Sequence, residues 1–263
     1  MRVYSLGSGS SGNAFLIDSD DAALLIDCGV GVRVIRKALQ DLDLTGRLDA
    51  IILSHEHVDH VRALKSLLRT ERCPVYATAG TFAAIGKPDR GMAVLRGNRI
   101  SFGSAAVTTV AVPHDGAEPC GFFVEAADES LALFTDLGTP TRDVAGAIEA
   151  ADYVILESNY DEAMLRRSTY PSFLKSRIRG PGGHLSNDDC AGLLVDALTK
   201  RARGIWLAHL SDNNNATTVA ETATRTALGA TGCHLPVLAL PRYDWIELDL
   251  QGSQPVYQSQ LAL

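Results

Sequence analysis

The chain has 263 residues, 46% of them hydrophobic and 21% charged, which is ordinary for a soluble globular protein with room for one large core or two fused halves. No apolar run approaches the roughly 18 residues that span a bilayer, and Met1-Arg2-Val3-Tyr4-Ser5-Leu6 lacks the apolar stretch of a secretion signal, so a cytoplasmic protein without a membrane partner is expected. A net charge of −7 argues against non-specific coating of nucleic acid, and five scattered cysteines without a CxxC pair argue against a disulfide framework or a thiolate zinc site.

The opening third alternates strands and helices. Strands are predicted at Arg2–Leu6, Ala14–Asp18 and Ala22–Asp27, a helix at Arg33–Leu42, a strand at Asp49–Leu53 and a helix at Asp59–Leu68. Pro74–Ala77, Ile100–Val112, Cys120–Glu125 and Leu131–Thr135 read as strands. A helix at Arg142–Ala150, a strand at Tyr153–Glu157, a helix at Asn187–Leu198, a strand at Ile205–Ala208 and a helix at Asn215–Ala227 follow, and a strand near Trp245–Leu250 closes the pattern. This order fits a strand-rich core flanked by helices, built as two similar halves of one domain, 1–263, that meet near residues 135–150. Residues 252–263 read as a loose tail.

The apolar run Ala50-Ile51-Ile52-Leu53 leads into His55-Glu56-His57-Val58-Asp59-His60, and three imidazoles and a carboxylate at such spacing form a metal-ligand constellation. Other predicted strands end in the same residue types: Asp27 after Leu24-Leu25-Ile26, His114 after Thr108–Pro113, Asp136 after Leu131–Thr135 and His209 after Ile205–Ala208. Side chains at several strand ends can converge on one rim of a sheet, where loops on a rigid scaffold carry chemistry. Imidazole and carboxylate without sulfur suit zinc, manganese or iron and do not choose among them. Any one of these histidines could be a hydrogen-bonded core residue; six together point to metal.

Between Ala163 and Gly183 lie five basic residues, Arg166, Arg167, Lys175, Arg177 and Arg179, and no acid, so the rest of the chain is more acidic than its net charge suggests. Such a run is either a solvated surface loop or a contact for phosphate.

The His55, His57, Asp59, His60 signature, followed in order by His114, Asp136 and His209, resembles the metallo-β-lactamase superfamily over essentially the whole chain. The resemblance implies an α+β fold, the four-layer αββα sandwich, with two divalent metal ions in a cleft between its halves. His55, His57 and His114 would hold one ion, Asp59, His60 and His209 the other, and Asp136 would bridge them. Asp27 would orient a ligand histidine, and a hydroxide shared by the metals would attack the substrate, with Asp59 accepting its proton.

Three further segments resemble the nuclease branch of the superfamily, as in ribonuclease Z: Val154-Ile155-Leu156-Glu157, Gly183-His184-Leu185-Ser186-Asn187 and Ala208-His209-Leu210-Ser211. By that resemblance Glu157 orients His184, which protonates the leaving oxygen, a contribution of roughly 10²–10⁴-fold for a poor alkoxide leaving group. The competing reading of His184 is a cap on the following helix, although Ser186 or Asn187 is the more natural cap. The turn Gly7-Ser8-Gly9-Ser10-Ser11-Gly12-Asn13 and the run Ser211-Asp212-Asn213-Asn214-Asn215 resemble the YycJ/WalJ subfamily, which implies a DNA exonuclease. Ser8, Ser10, Ser11 and Asn13 could contact phosphate or simply make a hairpin, and the asparagines could cap the next helix. The alternatives that remain are a ribonuclease, a hydrolase of small esters, thioesters or cyclic phosphodiesters, and a metal-bearing regulatory module.

Overall fold

Runs such as Leu24-Leu25-Ile26 and Val154-Ile155-Leu156 are apolar on both faces, so their strands must be covered on both sides. The computed structural model describes residues 1–250 and the backbone of Val256 and Tyr257. One sheet receives β1 (Arg2–Gly7), β2 (Ala14–Asp18), β3 (Ala23–Ile26), β4 (Ala50–Ile52), β5 (Val75–Thr78) and β6 (Gly91–Val94). The other receives β7 (Arg99–Phe102), β8 (Ala105–Ala111), β9 (Cys120–Ala126), β10 (Glu129–Phe134), β11 (Tyr153–Glu157), β12 (Gly204–Ala208) and β13 (Val237–Ala239). The chain then returns to the first sheet with β14 (Ile246–Leu248) and β15 (Val256–Tyr257).

The spatial orders are β15-β14-β1-β2-β3-β4-β5-β6 and β13-β12-β11-β10-β9-β8-β7. Side chains alternate about the pleat: Phe15 and Ile17 meet Phe122, Val124, Leu133 and Ile155 between the sheets, whereas Leu16 and Leu25 face outward. The outer face of the first sheet is covered by α1 (Val32–Asp41), α2 (Val58–Val61), α3 (Leu64–Leu67) and α4 (Ala79–Ile85). Beyond them in the chain come α5 (Arg142–Ala150), α6 (Glu162–Arg167), α7 (Ser172–Arg179), α8 (Asn187–Ala197) and α9 (Thr217–Ala230), of which α5, α8 and α9 cover the second sheet. The result is the expected αββα sandwich.

Several expectations change in detail. The single strand expected at Ile100–Val112 is a hairpin, because Gly103 takes φ +56° and the Asp21 carboxylate accepts the Ser104 amide at 3.0 Å. The helix expected at Asp59–Leu68 is two single turns. Its ladder breaks because Asp59 O accepts from Asn13 N at 2.8 Å and Ala63 N donates to Cys28 O at 2.9 Å, so neither serves the helix. The basic stretch, read as a loop or phosphate track, folds into α6 and α7, with the Asp161 side chain capping Met164 N at 2.7 Å and Pro171 preceding α7. The elements α4, β6 and β13 were not anticipated from the pattern. The chain passes from the first sheet to the second between Val94 and Arg99. The expected loose tail at 252–263 lies outside the described residues, apart from the Val256–Tyr257 backbone that pairs with β14.

β3 to β6 run parallel, as do β10 to β13, and in both sheets the carboxyl ends of the parallel strands open onto one rim. The loop after β3 is sewn to that rim at Gly29, where an added Cβ would lie 1.5 Å from Asp59 O. Gly29→Ala is therefore expected to push Asp59 and His60 outward and cost about 1–3 kcal/mol. Gly31→Ala, with nothing within 4 Å of the added atom, is the neutral control. Thermal melts and bound-metal stoichiometry of the two variants check this, and equal behaviour would refute it.

Candidate metal centre

Asp27 follows β3, His55 follows β4, His114 follows β8, Asp136 follows β10, Glu157 ends β11 and His209 follows β12. Two of these, Asp27 at φ +56° and His209 at φ +53°, adopt the left-handed conformation, which costs an L-residue roughly 1–2 kcal/mol. That strain is retained where it aims a side chain back into the cleft.

The six histidines His55, His57, His60, His114, His184 and His209 come together there, while His234 lies elsewhere. The His55, His57 and His114 donors lie within 4.8 Å of one another, as do those of His55, His60 and Asp136. Asp136 is central: its Oδ2 is 2.9 Å from His60 Nε2, and its Oδ1 is 3.1 Å from His209 Nδ1 and 3.5 Å from His114 Nε2. Asp59 Oδ2 lies 3.6 Å from Nε2 of both His60 and His209.

Each ring is oriented through one nitrogen. His60 Nδ1 is 2.7 Å from Asp27 Oδ2, His114 Nδ1 is 2.9 Å from Gly183 O, and His209 Nδ1 is 2.7 Å from Thr135 O. A histidine held this way presents its other nitrogen to a metal. His55 Nε2 and His209 Nε2 are buried without a hydrogen-bond partner, and Asp136 Oδ2 has only its 2.9 Å ion-pair contact with His60 Nε2. Two orphaned nitrogens and a carboxylate facing one cleft, without sulfur, fit a divalent cation.

The electrostatics agree. Burial, with His60 and His114 adding repulsion, drives His55 well below the ordinary imidazole range, and burial beside His114 lowers His57 too, leaving lone pairs free. Burial alone would raise Asp136, but the neighbouring His209 and His60 outweigh it and hold the carboxylate well below its usual range. Asp59 is depressed against its own desolvation, again by His209 and His60. Those two histidines are raised, because Asp27 and Asp136 beside His60, and Asp136 beside His209, overcome the burial that would lower them. Protons on His60 and His209 thus occupy the place of positive charge that a metal would take.

Glu157 and His184 form the adjoining unit. Glu157 Oε1 lies 2.8 Å from His184 Nδ1, and Oε2 accepts from Leu137 N at 2.8 Å and Leu185 N at 3.2 Å. Burial opposes but Glu157 prevails, raising the His184 pKa. The cap on α8 is Ser186, which accepts from Asp189 N at 3.0 Å, so His184 is free of that duty. Asp136, Glu157, His184 and His209 also group closely enough to hold an ion. However, His184 Nδ1 and His209 Nδ1, the nitrogens nearest these carboxylates, are already hydrogen-bonded to Glu157 and Thr135 O. We read that group as a hydrogen-bonded wall.

The other expected residues divide. Ser8 and Asn13 are buried: Ser8 Oγ accepts from His209 N at 2.9 Å and donates to Asn13 Oδ1 at 3.1 Å, and the Asn13 amide holds Gly9 O at 3.1 Å. Both side chains are engaged in holding the backbone of the site. Ser10 is exposed and Ser11 half-buried at the same turn. Lys175 Nζ is spent on Arg166 O and Ser168 O at 2.8 and 2.7 Å, and Arg179 on Glu162. Arg167 bonds Ala163 O in its own helix, Arg166 is exposed, and Arg177 pairs with Asp115 at 2.7 Å. Three residues that sequence reasoning missed matter here. Ser54 Oγ bridges Asp27 at 2.8 Å, His55 at 3.0 Å and His60 at 3.2 Å. Asp115 Oδ1 lies 3.3 Å from His114 Nε2 and 3.6 Å from His57 Nε2. Thr135 contributes only its carbonyl, which no side-chain pattern signals; Ser54 and Asp115 could have been suspected from adjacency to ligands.

A sequence profile described as the beta-lactamase superfamily domain matches residues 23–209. The chain belongs to the metallo-β-lactamase superfamily and is a metal-dependent hydrolase. Within it, the chain is 35% identical over 217 residues to exodeoxyribonuclease YycJ of Bacillus anthracis, covering 80% of this chain and 82% of that protein. It is 35% identical over 219 residues to exodeoxyribonuclease WalJ of Streptococcus pneumoniae, covering 80% and 81%. Zinc-bound PqqB of Methylobacterium extorquens shares the fold with a TM-score of 0.72 at 20% identity, over 95% of this chain and 100% of that one. Among the described residues no helix is long and apolar enough to cross a membrane.

Because raised pKa values keep His60 and His209 protonated near neutrality, a divalent ion must displace protons on binding. Metal affinity is expected to fall as pH drops and to weaken roughly tenfold per pH unit for each proton displaced. Zinc and manganese titrations by calorimetry in buffers of differing ionisation enthalpy read both effects. Affinity independent of pH between 6 and 8, with no proton release, would contradict this account.

Proposed function

We propose that this protein is a dinuclear metal-dependent phosphodiesterase, a nuclease that degrades DNA from strand ends. The observation that carries this reading is the Glu157–His184 contact at 2.8 Å beside the metal-ligand cluster. The extended similarity to proteins named exodeoxyribonucleases supports DNA as the polymer. The five free cysteines, four of them buried, accord with a reducing cytoplasm.

His55, His57 and His114 would hold one ion and Asp59, His60 and His209 a second, with Asp136 between them. Two such ions, zinc, manganese or iron, would supply an ionised water as nucleophile and neutralise charge on the phosphate. Asp59 stays ionised in this setting, as a metal ligand must be, because His209 and His60 lower its pKa against its own burial. The Ser54–Asp27 pair keeps His60 from rotating. Glu157, buried and fixed by two backbone amides, holds His184 Nδ1–H, so the second ring nitrogen is left to donate a proton. With its pKa raised, His184 carries that proton nearer neutrality than a free imidazole would. A nucleic-acid alkoxide needs such a donor; a stable phenolate does not.

This difference sets the test. His184→Ala is expected to retain its metal and to lose about 10²–10⁴-fold in kcat on DNA, while hydrolysis of bis(p-nitrophenyl) phosphate falls far less. Parallel assays with and without added manganese, alongside metal analysis, read the split. Undiminished DNA cleavage by the variant would remove the leaving-group role. A parent protein that hydrolyses thioesters but no phosphodiester would overturn the nuclease reading itself.

A further inference from the structure

α7 has no buried residue, yet it is not featureless. Leu174 and Ile178, four apart, are half-buried on its inner face, while Phe173, Ser176 and Arg177 are exposed on the outer one. Phe173 is 73% exposed, whereas the other six phenylalanines are buried or half-buried. An isolated surface phenylalanine needs no explanation by itself. This one has a location.

Phe173 and Arg177 are four residues apart, which on a helix brings their Cβ atoms within about 5–6 Å. Arg177 reaches Asp115 Oδ2 at 2.7 Å, and Asp115 Oδ1 lies 3.3 Å from His114 Nε2 and 3.6 Å from His57 Nε2. Phe173 therefore lies one helical turn from Arg177, whose side chain reaches the rim of the donor cluster through Asp115. The end of α7 runs directly into the catalytic candidate, since His184 N donates to Ile178 O at 2.9 Å. Around Phe173 the segment from Ala163 to Gly183 carries only positive charge, Arg166 and Arg167 exposed, on an otherwise acidic chain. An exposed aromatic within a cationic strip is the combination that holds a single strand, bases stacking on the ring and phosphates following the charge.

We infer that Phe173 is a stacking platform for a base of a single-stranded DNA end that approaches the cleft along α7. The inference rests on the nuclease reading above and adds to it a preference for unpaired, base-bearing ends. Phe173 is an exposed residue outside the metal-ligand cluster, so a variant at this position leaves the hydrolytic machinery intact.

The metal-replete Phe173→Ala and Phe173→Trp proteins are compared with the parent on four substrates: a labelled single-stranded oligodeoxynucleotide, the blunt duplex, an abasic single strand of equal length and bis(p-nitrophenyl) phosphate. Phe173→Ala is expected to raise KM for the base-bearing strand about five- to a hundredfold, with kcat, the abasic strand and the small diester unchanged. Phe173→Trp should restore the parent KM. An unchanged KM for the base-bearing strand, or an equal loss on the abasic strand, would overturn the stacking role while leaving the nuclease reading in place. A parent that hydrolyses the small diester but no DNA would overturn the nuclease reading and this inference together.

Discussion

Leaving a polar atom buried and unpaired costs about 1–3 kcal/mol, and this fold does so at His55 Nε2 and His209 Nε2 within a single cleft. Adding Asp27 and His209 in left-handed backbone conformations makes the rim of the sandwich a concentration of local penalties. A divalent cation relieves the unpaired donors at once. Metal binding and stability are then one quantity, because binding free energy offsets what the bare site costs the fold.

That cost is tolerated because the support is rigid. Phe15, Ile17, Phe122, Val124, Leu133 and Ile155 fill the space between two sheets whose outer faces are covered by helices. Close packing fixes where each parallel strand ends, and the ligands hang from those ends. Small polar residues translate that rigidity to the rings: Ser54 and Asp27 orient His60, and Ser8 and Asn13 secure the backbone around His209 and Gly9.

In the proposed mechanism Glu157 marks the division between holding metal and handling substrate. Its two oxygens serve different masters, one facing His184 and one fixed by backbone amides of Leu137 and Leu185. Beyond it, α6 and α7 carry the basic residues outward on a segment with little buried surface, as the proposed contact with a flexible polyanion would require. Much of the charge there is already engaged: Arg179 pairs with Glu162, and Arg177 with Asp115. The exposed pair Arg166 and Arg167, with Phe173, is what remains for solvent.

Much of the donor cluster was legible in residue order, because His55-x-His57-x-Asp59-His60 is a local motif and His114, Asp136 and His209 each follow an apolar strand. The alternation of apolar runs likewise determined two covered sheets. Contacts between distant segments were beyond it. Asn13 N and Cys28 O break the helix expected after His57, a carbonyl of Thr135 orients His209, and Asp115 arrives beside His57 from fifty-eight positions later in the chain. Ser8 and Asn13 looked available for phosphate and are consumed inside the fold. Residue type and spacing report what a side chain can do; only the assembled strands decide which partner has already claimed it, since a hydrogen bond depends on a few ångströms that sequence distance does not encode.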